Sequence, residues 1–477
     1  MMRVRRSGLV LSAASAICLL TAFAGGAVAS PAGGVKGDPQ PELTPFKIGD
    51  LSSTSPGSIA MEPNGSLVAV YDIGGGNGRL QVCLLDRGAR GCAGKIDLSP
   101  LSDDDTFGTP EVFIPSANHV VVLQGACCDR NSSGADLLYS STDGGKTFGP
   151  PVRVGGLGVA AAALAGDQIV FTAGDDSSGS QVESVSVNSP VSTPITVVNS
   201  KKAYDVGVGS YHGGALLGSD NAGLSFYTTY VEYAKSGANF NAASSYKAVG
   251  SFGKEILLGM SGSALLTIQT DGHTTVELRL FNGTSFSAAH SVPGTSGGGP
   301  EWFGVEQDPS GAVHVFSERG LDSPGYDLIE ESTSNGGKTW SGPVNLGDAI
   351  DDNGFAAALD SHGAGLVLGT GAPMGYPVLE SQGVSFSLSP AHVRKGKSTT
   401  GSGKGSPGSA GRTVVLQVER SSKWYTVATA HEHSGGSFSF TIKGSSAGTF
   451  RYRAVVSDLA GYLMYGYSNA KSLSVTG

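Results

Sequence analysis

Charge, cysteine, helical periodicity and long apolar runs are all scarce in this chain of 477 residues. Charged residues are 15% of the total, and almost no segment spaces its apolar residues as a helix would, which leaves an all-β fold. Beyond the first 29 residues no apolar run is long enough to cross a bilayer, and no hydrophobic tail precedes Gly477, so the product is expected to be released or held at a surface non-covalently. The sequence has no His-Glu-x-x-His, no Gly-x-Ser-x-Gly and no phosphate-binding loop, and its scattered histidines nominate no catalytic triad. Of five cysteines, Cys18 lies in the leader, and Cys83, Cys92, Cys127 and Cys128 remain. Their spacing is not that of a zinc site. An even number in an oxidising compartment points to disulfides. Cys83 and Cys92 flank the turn-like Asp86-Arg87-Gly88-Ala89 and suit a bridge across a hairpin, whereas Cys127 and Cys128 suit either a vicinal bridge or cross-links to the first pair.

Glycine is abundant instead, at 73 residues. Arg3, Arg5 and Arg6 precede the apolar Leu9 to Ala24, and Ala27-Val28-Ala29 stands before Ser30; residues 1–29 are therefore expected to be a secretory signal peptide, followed by a flexible Gly/Pro/Ser-rich leader over 30–44. The charge is unevenly divided. Removing the three leader arginines from 31 Lys and Arg leaves 28 against 40 acidic residues, a net of −12; from Val384 onward 11 basic and 3 acidic residues give +8, leaving −20 before it. An acidic body of this size would repel nucleic acid. The basic end suits an anionic cell wall or polysaccharide, or the acidic neighbour within the chain.

A turn followed by a short apolar run recurs: Gly65 before Leu67 to Val70, Asn118 before Val120 to Leu123, Gly166 before Ile169 to Phe171, Gly214 before Ala215 to Leu217, Gly262 before Ala264 to Leu266, Gly311 before Val313 to Phe316, and Gly363 before Leu366 to Leu368. The intervals are 53, 48, 48, 48, 49 and 52 residues, a period with room for several short strands per unit. Such a period is the mark of a β-propeller, here of seven blades, or six if one unit is irregular. Each apolar run is then the second strand of a blade, buried on both faces. The last unit lacks a fourth strand, and Pro45-Phe46-Lys47-Ile48-Gly49 is expected to supply it and close the ring.

Ser141 to Phe148 reads Ser-Thr-Asp-Gly-Gly-Lys-Thr-Phe, and Thr333 to Trp340 reads Thr-Ser-Asn-Gly-Gly-Lys-Thr-Trp. Their Asx side chain and paired glycines suit a tight turn, and their phase puts both between third and fourth strands. They resemble the Asp-box repeat of sialidase-like propellers, carried here by Ser141, Asp143, Gly145, Thr147 and Phe148 and by Asn335, Gly337, Thr339 and Trp340. The resemblance implies a structural role. Residues 45–383 are assigned to this unit. From Val384 to Gly477, the runs Thr413 to Val418, Trp424 to Thr429, Ser437 to Ile442 and Thr449 to Val456 resemble the immunoglobulin-like modules of secreted actinobacterial proteins, with Lys397 to Lys404, mostly Ser, Thr and Gly, expected as a frayed edge.

In a propeller the loops between second and third strands, and those from a fourth strand to the next first, share the ligand-binding face. The phase puts Arg79, Arg130 and Arg319 in second-to-third-strand loops. Three such arginines would clamp a carboxylate, as the resemblance to sialidases implies, with Tyr326 and Glu301 as nucleophile and base and Asp351 or Asp352 as general acid. Against this, the Phe/Tyr-Arg-Ile-Pro motif of sialidases is missing: Gly57 to Met61 contains no arginine, nor does Phe113-Ile114-Pro115, and seven units exceed the six sialidase blades. No cofactor is expected. Ca²⁺ is the alternative, from Asp103-Asp104-Asp105, Asp175-Asp176 and Asp351-Asp352, although no Asp-x-Asp-x-Asp-Gly loop accompanies them. His431-Glu432-His433 has no third ligand nearby and is expected at the surface. The expectation is a secreted, sialidase-like propeller that binds an extracellular glycan or protein, with no catalysis established by its residues; an exo-sialidase-type glycoside hydrolase and a structural or adhesive surface protein are the alternatives.

Overall fold

The computed structural model describes residues 45–48, 57–73, 79–87, 89–98, 107–126, 136–155, 159–173, 181–190, 192–195, 203–223, 226–235, 244–247, 253–258, 263–270, 273–295, 303–320, 326–349, 355–360, 364–369, 374–378, 383–406, 408, 410–421, 423–457 and 466–477. The protein is all-β. Among the described residues only the 3-10 turn Ser434–Gly436 is helical, and no helix is long and apolar enough to cross a membrane. Two compact units have as their main bodies Leu43–Val378 and Leu379–Gly477.

The first unit consists of four-stranded antiparallel sheets, seven among the described residues, six of them consecutive meanders. Sheet one is Ser58–Met61, Leu67–Asp72, Leu80–Leu85 and Gly94–Leu98; sheet two is Phe107–Ser116, His119–Ala126, Asp136–Ser141 and Val152–Gly155. Sheet three is Val159–Ala165, Gln168–Ala173, Gln181–Ser186 and Ser192–Ile195; sheet four is Ala203–Tyr211, Gly214–Gly223, Phe226–Ala234 and Ser244–Lys247. Sheet five is Gly253–Leu258, Ser263–Thr270, His273–Leu280 and His290–Ser291; sheet six is Phe303–Gln307, Val313–Gly320, Tyr326–Thr333 and Ser341–Ala349. Sheet seven takes Phe355–Leu359, Gly365–Gly369 and Met374–Val378 from one end of the chain and Phe46–Lys47 from the other, with Phe46 opposite Gly375. The N-terminal strand thus fills the fourth place.

All seven apolar runs lie in second strands. Apart from His314 in the sixth, they are apolar because both faces are covered: Val70 and Val82 of sheet one pack with Val112, Val122 and Tyr139 of sheet two, and Phe316 and Leu328 of sheet six pack with Phe355, Val367 and Tyr376 of sheet seven. Each such side chain contributes about 1.5–3 kcal/mol of burial. First strands of successive sheets are neighbours, and that of sheet seven also neighbours that of sheet one. Across the same join, Arg87 Nη2 donates to Asp360 Oδ2 at 2.6 Å. The turns between first and second strands need left-handed backbone, supplied by Gly65 (φ 87°), Asn118 (φ 62°), Gly166 (φ 66°) and Gly311 (φ 94°). In sheet four the turn falls at His212 and Gly213, one step before the expected Gly214, which already belongs to the strand.

The second unit is two sheets around one core. Gly383–Ser389, Ser398–Ser406 and Ser437–Lys443 form the smaller sheet; the larger runs in the order His392–Arg394, Lys471–Thr476, Gly448–Val456, Thr413–Arg420, Lys423–His431, with Gly466–Tyr467 beside Gly448–Val456. Phe386, Phe438, Phe440 and Ile442 of the first meet Leu416, Val418, Ala454 and Leu473 of the second. Ser398–Ser406 corrects the expected frayed edge: it is the middle strand of its sheet. Its small residues are what the packing requires, since a methyl at Gly401 would lie 2.9 Å from the Phe386 ring and one at Gly403 2.5 Å from the Phe438 ring. Two phenyl rings occupy the room that β-branched side chains would have taken.

Candidate functional site

The two repeated turns join third to fourth strands, and each is knitted by its own side chains. Asp143 accepts at Oδ2 from Thr147 Oγ1 (2.6 Å) and at Oδ1 from Thr147 N (2.9 Å) and Ser141 Oγ (2.7 Å), while Gly145 N donates to Ser141 Oγ (2.9 Å). Hydrogen bonds from the Thr147 side chain and backbone, then from Ser141, lower the Asp143 pKa to about 2. In the second copy Thr333 takes the place of Ser141, and Asn335 holds Thr339 through both N and Oγ1 at 2.9 and 2.7 Å. Neither turn faces only solvent. A methyl at Gly145 would sit 3.0 Å from Leu84 of the preceding sheet, and one at Gly337 2.6 Å from His290 of sheet five. Phe148 packs against the core between sheets one and two, and Trp340 against that between sheets five and six. The turns are staples between sheets. Gly283 (φ 90°) lies in a looser relative, in which Asn282 Oδ1 accepts from Thr284 N, Thr284 Oγ1 and Ser285 N, each at 2.9 Å.

At the other end of the sheets the second strands run out in buried polar groups: Asp72 closes its strand, and Gln124, Thr172 and Glu318 stand within the last three residues of theirs. Asp136 opens the third strand of sheet two, fully buried. Several have visible partners. Ser58 Oγ donates to Glu111 Oε2 at 2.9 Å and accepts from Val112 N at 3.2 Å, linking the first strands of sheets one and two; Tyr139 donates to Gln124 Oε1 at 3.0 Å. Sequence reasoning passed over these residues because each sits inside or beside an apolar run, where one polar residue leaves the pattern intact. The available signal was the polar residue closing the run.

Arg79 is drawn into a network that leads outward. Tyr71 of the second strand donates to Gln81 Oε1 (2.6 Å) on the third, Gln81 Nε2 donates to Asp97 Oδ1 (2.8 Å) on the fourth, and Arg79 Nη2 lies 3.7 Å from Asp97 Oδ2. The Arg79 side chain is 57% exposed, so this pair adds little stability. Arg319 and Tyr326 stand on either side of one hairpin, with Arg319 opposite Asp327 and Gly320 opposite Tyr326. Arg319 is therefore the next-to-last residue of its strand rather than a loop residue. Arg130, Glu301, Asp351 and Asp352 lie outside the described residues, as do Asp103 to Asp105, Asp175, Asp176, Cys127 and Cys128. Cys83 and Cys92 form a disulfide between the third strand of sheet one and the turn after it. Among the described residues no three His, Cys, Asp or Glu side chains are grouped to hold a metal ion.

A second ionisable group lies in sheet six, around the turn joining its first two strands. Asp308 Oδ1 accepts from Ser310 N, Ser310 Oγ and Ala312 N at 2.8, 2.7 and 2.9 Å. Its Oδ2 is 3.5 Å from His314 Nε2, and His314 Nδ1 donates to Glu330 Oε1 at 2.8 Å. Burial alone would lower the His314 pKa, but Asp308 and Glu330 outweigh it and raise the value to about 9. Glu306, opposite His314 in register and fully buried, is pushed well above the carboxylate range by burial and then by Asp308, and neither of its oxygens has a hydrogen-bond partner. A cationic imidazole between two carboxylates holds strands together here. His314 and both carboxylates are buried.

No family model matches the chain, and no curated protein matches it. Similar solved structures include the hydrazine synthase of Kuenenia stuttgartiensis, at 12% identity over 71% of this chain and 96% of that one, with a TM-score of 0.45. A puromycin hydrolase matches at 12% identity over 73% and 50% with a TM-score of 0.39, and the Hadza microbial sialidase Hz136 at 11% over 69% and 67% with a TM-score of 0.39.

Proposed function

We propose that the first unit is a seven-bladed, Asp-box β-propeller, secreted after loss of residues 1–29, that binds an extracellular glycan or protein on the face of its second-to-third-strand loops without performing catalysis, and that 384–477 is an appended immunoglobulin-like module. One observation carries the reading: seven four-stranded antiparallel sheets whose first strands are neighbours in a closed cycle, the last completed by Phe46–Lys47. That closure removes exposed sheet edges and leaves loops clustered at each end. The stapling turns occupy one end, so the opposite end is free to vary for recognition.

The glycoside hydrolase alternative needs Arg79 to turn toward the inner strands. Its pairing instead with Asp97, on the fourth and outermost strand of sheet one, favours recognition without catalysis. A glycan array probed with the full-length mature protein, run beside release of a fluorogenic sialoside, tests this. Array binding without release is expected. Sialoside release that vanishes in Arg79→Ala would establish the hydrolase, and silence in both assays would leave the structural or adhesive role.

A further inference from the structure

Among the described residues from Gly383 onward there are two carboxylate side chains, Glu419 and Glu432, and both are engaged, Glu432 by the buried Arg412 and Glu419 by Arg451. Four other cations, Arg394, Lys395, Lys397 and Lys443, stand together at one end of the two sheets. None of the four forms an ion pair among the described residues.

Two turns build that end. His392–Arg394 lies parallel to Lys471–Thr476, with Arg394 opposite Thr476, and the chain then turns back into Ser398–Ser406. Lys397 N donates to Arg394 O at 2.9 Å around Gly396, whose φ of 86° calls for glycine. Ser398 pairs with Lys443, where the strand Ser437–Lys443 ends. Backbone hydrogen bonds fasten these pieces to one another: Gly396 N donates to Gly444 O at 2.7 Å, Gly444 N to Lys397 O at 2.9 Å, and Lys395 N to Thr476 O at 2.8 Å. Gly444 is buried, and a methyl there would lie 3.0 Å from both Val393 and Val475. The backbone beneath the cations is held in place.

Strand alternation sets the directions of the side chains. Val393 and Ile442 belong to the core, so Arg394 faces outward from the larger sheet and Lys443 outward from the smaller one, with Lys395 and Lys397 in the turn between them. All four are exposed, as are Ser398, Ser445 and Ser446 beside them. The cations therefore form a ridge over the end of the sandwich and not a pocket. Packed sheets are about 10 Å apart, close to one Debye length at physiological salt, so the fields of the four reinforce one another. With the Gly477 carboxylate counted, the local charge is four minus one, or +3. A small anion meets one or two of these cations, whereas a chain with a charge on each repeat meets them all.

We propose that this ridge, Arg394, Lys395, Lys397 and Lys443, binds a linear phosphodiester polymer of the polyol-phosphate type. Three of the four are lysines, point charges that suit phosphate, and the turns Lys395-Gly396-Lys397-Ser398 and Lys443-Gly444-Ser445-Ser446 contain no aromatic ring on which a sugar would stack. The exposed serines add hydroxyl donors for phosphate oxygens. The net charge of −20 before Val384 repels a stiff nucleic-acid duplex. The inference concerns the second unit alone and stands apart from any ligand of the first.

Biolayer interferometry of the full-length mature protein on immobilised poly(glycerol phosphate), alginate or uncharged polyglycerol provides the test. The phosphate polymer is expected to bind, with affinity falling steeply as salt is raised, and polyglycerol not to. Lys395→Gln with Lys397→Gln, shown folded by circular dichroism, should weaken binding by about tenfold or more. Lys404→Gln with Lys471→Gln removes the same charge from exposed lysines elsewhere in the unit and should change binding by less than about twofold. The proposal is overturned if poly(glycerol phosphate) does not bind, if both double variants lose binding equally, or if alginate binds as tightly. It also falls if the Lys395/Lys397 variant changes only self-association in sedimentation, which would make a second copy of the chain the partner.

Discussion

Replacing Arg412 by methionine should destabilise the second unit selectively, and the size of the effect follows from the burial of its partner. Arg412 donates through Nε and Nη2 to the two carboxylate oxygens of Glu432, both at 2.9 Å, and the two side chains are 1% and 0% exposed. Gly405 runs so close that a methyl there would overlap Glu432 and come 2.6 Å from Arg412 Nη2. Arg412→Met therefore takes from a buried carboxylate the cation that holds both its oxygens, a loss of about 3–5 kcal/mol. A domain of this size holds about 5–15 kcal/mol in total, so a large fraction of its stability would go. The double variant Arg412→Met with Glu432→Met removes both charges and should recover most of the loss, because the desolvation of the pair offsets much of its attraction. Hydrogen exchange of Gly448–Val456 in the full-length protein, followed over a urea series, reads the stability of this unit separately. A double variant as unstable as the single one would refute the reasoning, because the loss would then come from packing and not from the stranded charge.

Other outcomes follow from the same geometry. His314, raised to about 9, contributes stability that is complete below its ordinary pKa of 6.5 and is lost as pH rises through 9; carbon-13 NMR of the imidazole should find a midpoint near 9, and a midpoint near 6.5 would contradict the carboxylate sandwich. Asp143, lowered to about 2, contributes stability present above its ordinary value of 3.8 and lost as pH falls through 2. Thermal melts should show Asp143→Ala less stable and Asp143→Asn close to the parent, since Asn335 already does the same work in sheet six; equal melts for all three would remove the staple. Gly403→Ala, which overlaps the Ser385 carbonyl and crowds Phe438, should destabilise the second unit by about 1–3 kcal/mol in chemical denaturation, and a neutral result would show that the strand can shift to make room.

Much of the architecture was legible because burial on two faces leaves no freedom. A strand covered on both sides carries a continuous apolar run, and a turn that needs positive φ selects glycine or asparagine, so seven second strands and most of their turns could be located by period alone. The same logic placed Phe46–Lys47 in the last sheet, because an unfilled fourth place is countable in sequence. Ser398–Ser406 was misjudged, because its role depends on where Phe386 and Phe438 put their rings, and no local pattern records that. His431 and His433 are exposed as expected, while Glu432 between them is buried on account of Arg412, 20 residues earlier. The candidate site divides in the same way. That a polar residue stands at or near the end of several second strands is written in the chain; that Arg79 turns to Asp97, and that Arg453 lies against Trp424, was decided only when separate strands came together. Local burial and backbone sterics write the repeat, its turns and the strand added from the N-terminus into the chain, whereas the partners of the charged groups are settled in three dimensions, because charge acts through space and takes whichever counter-charge the fold brings near.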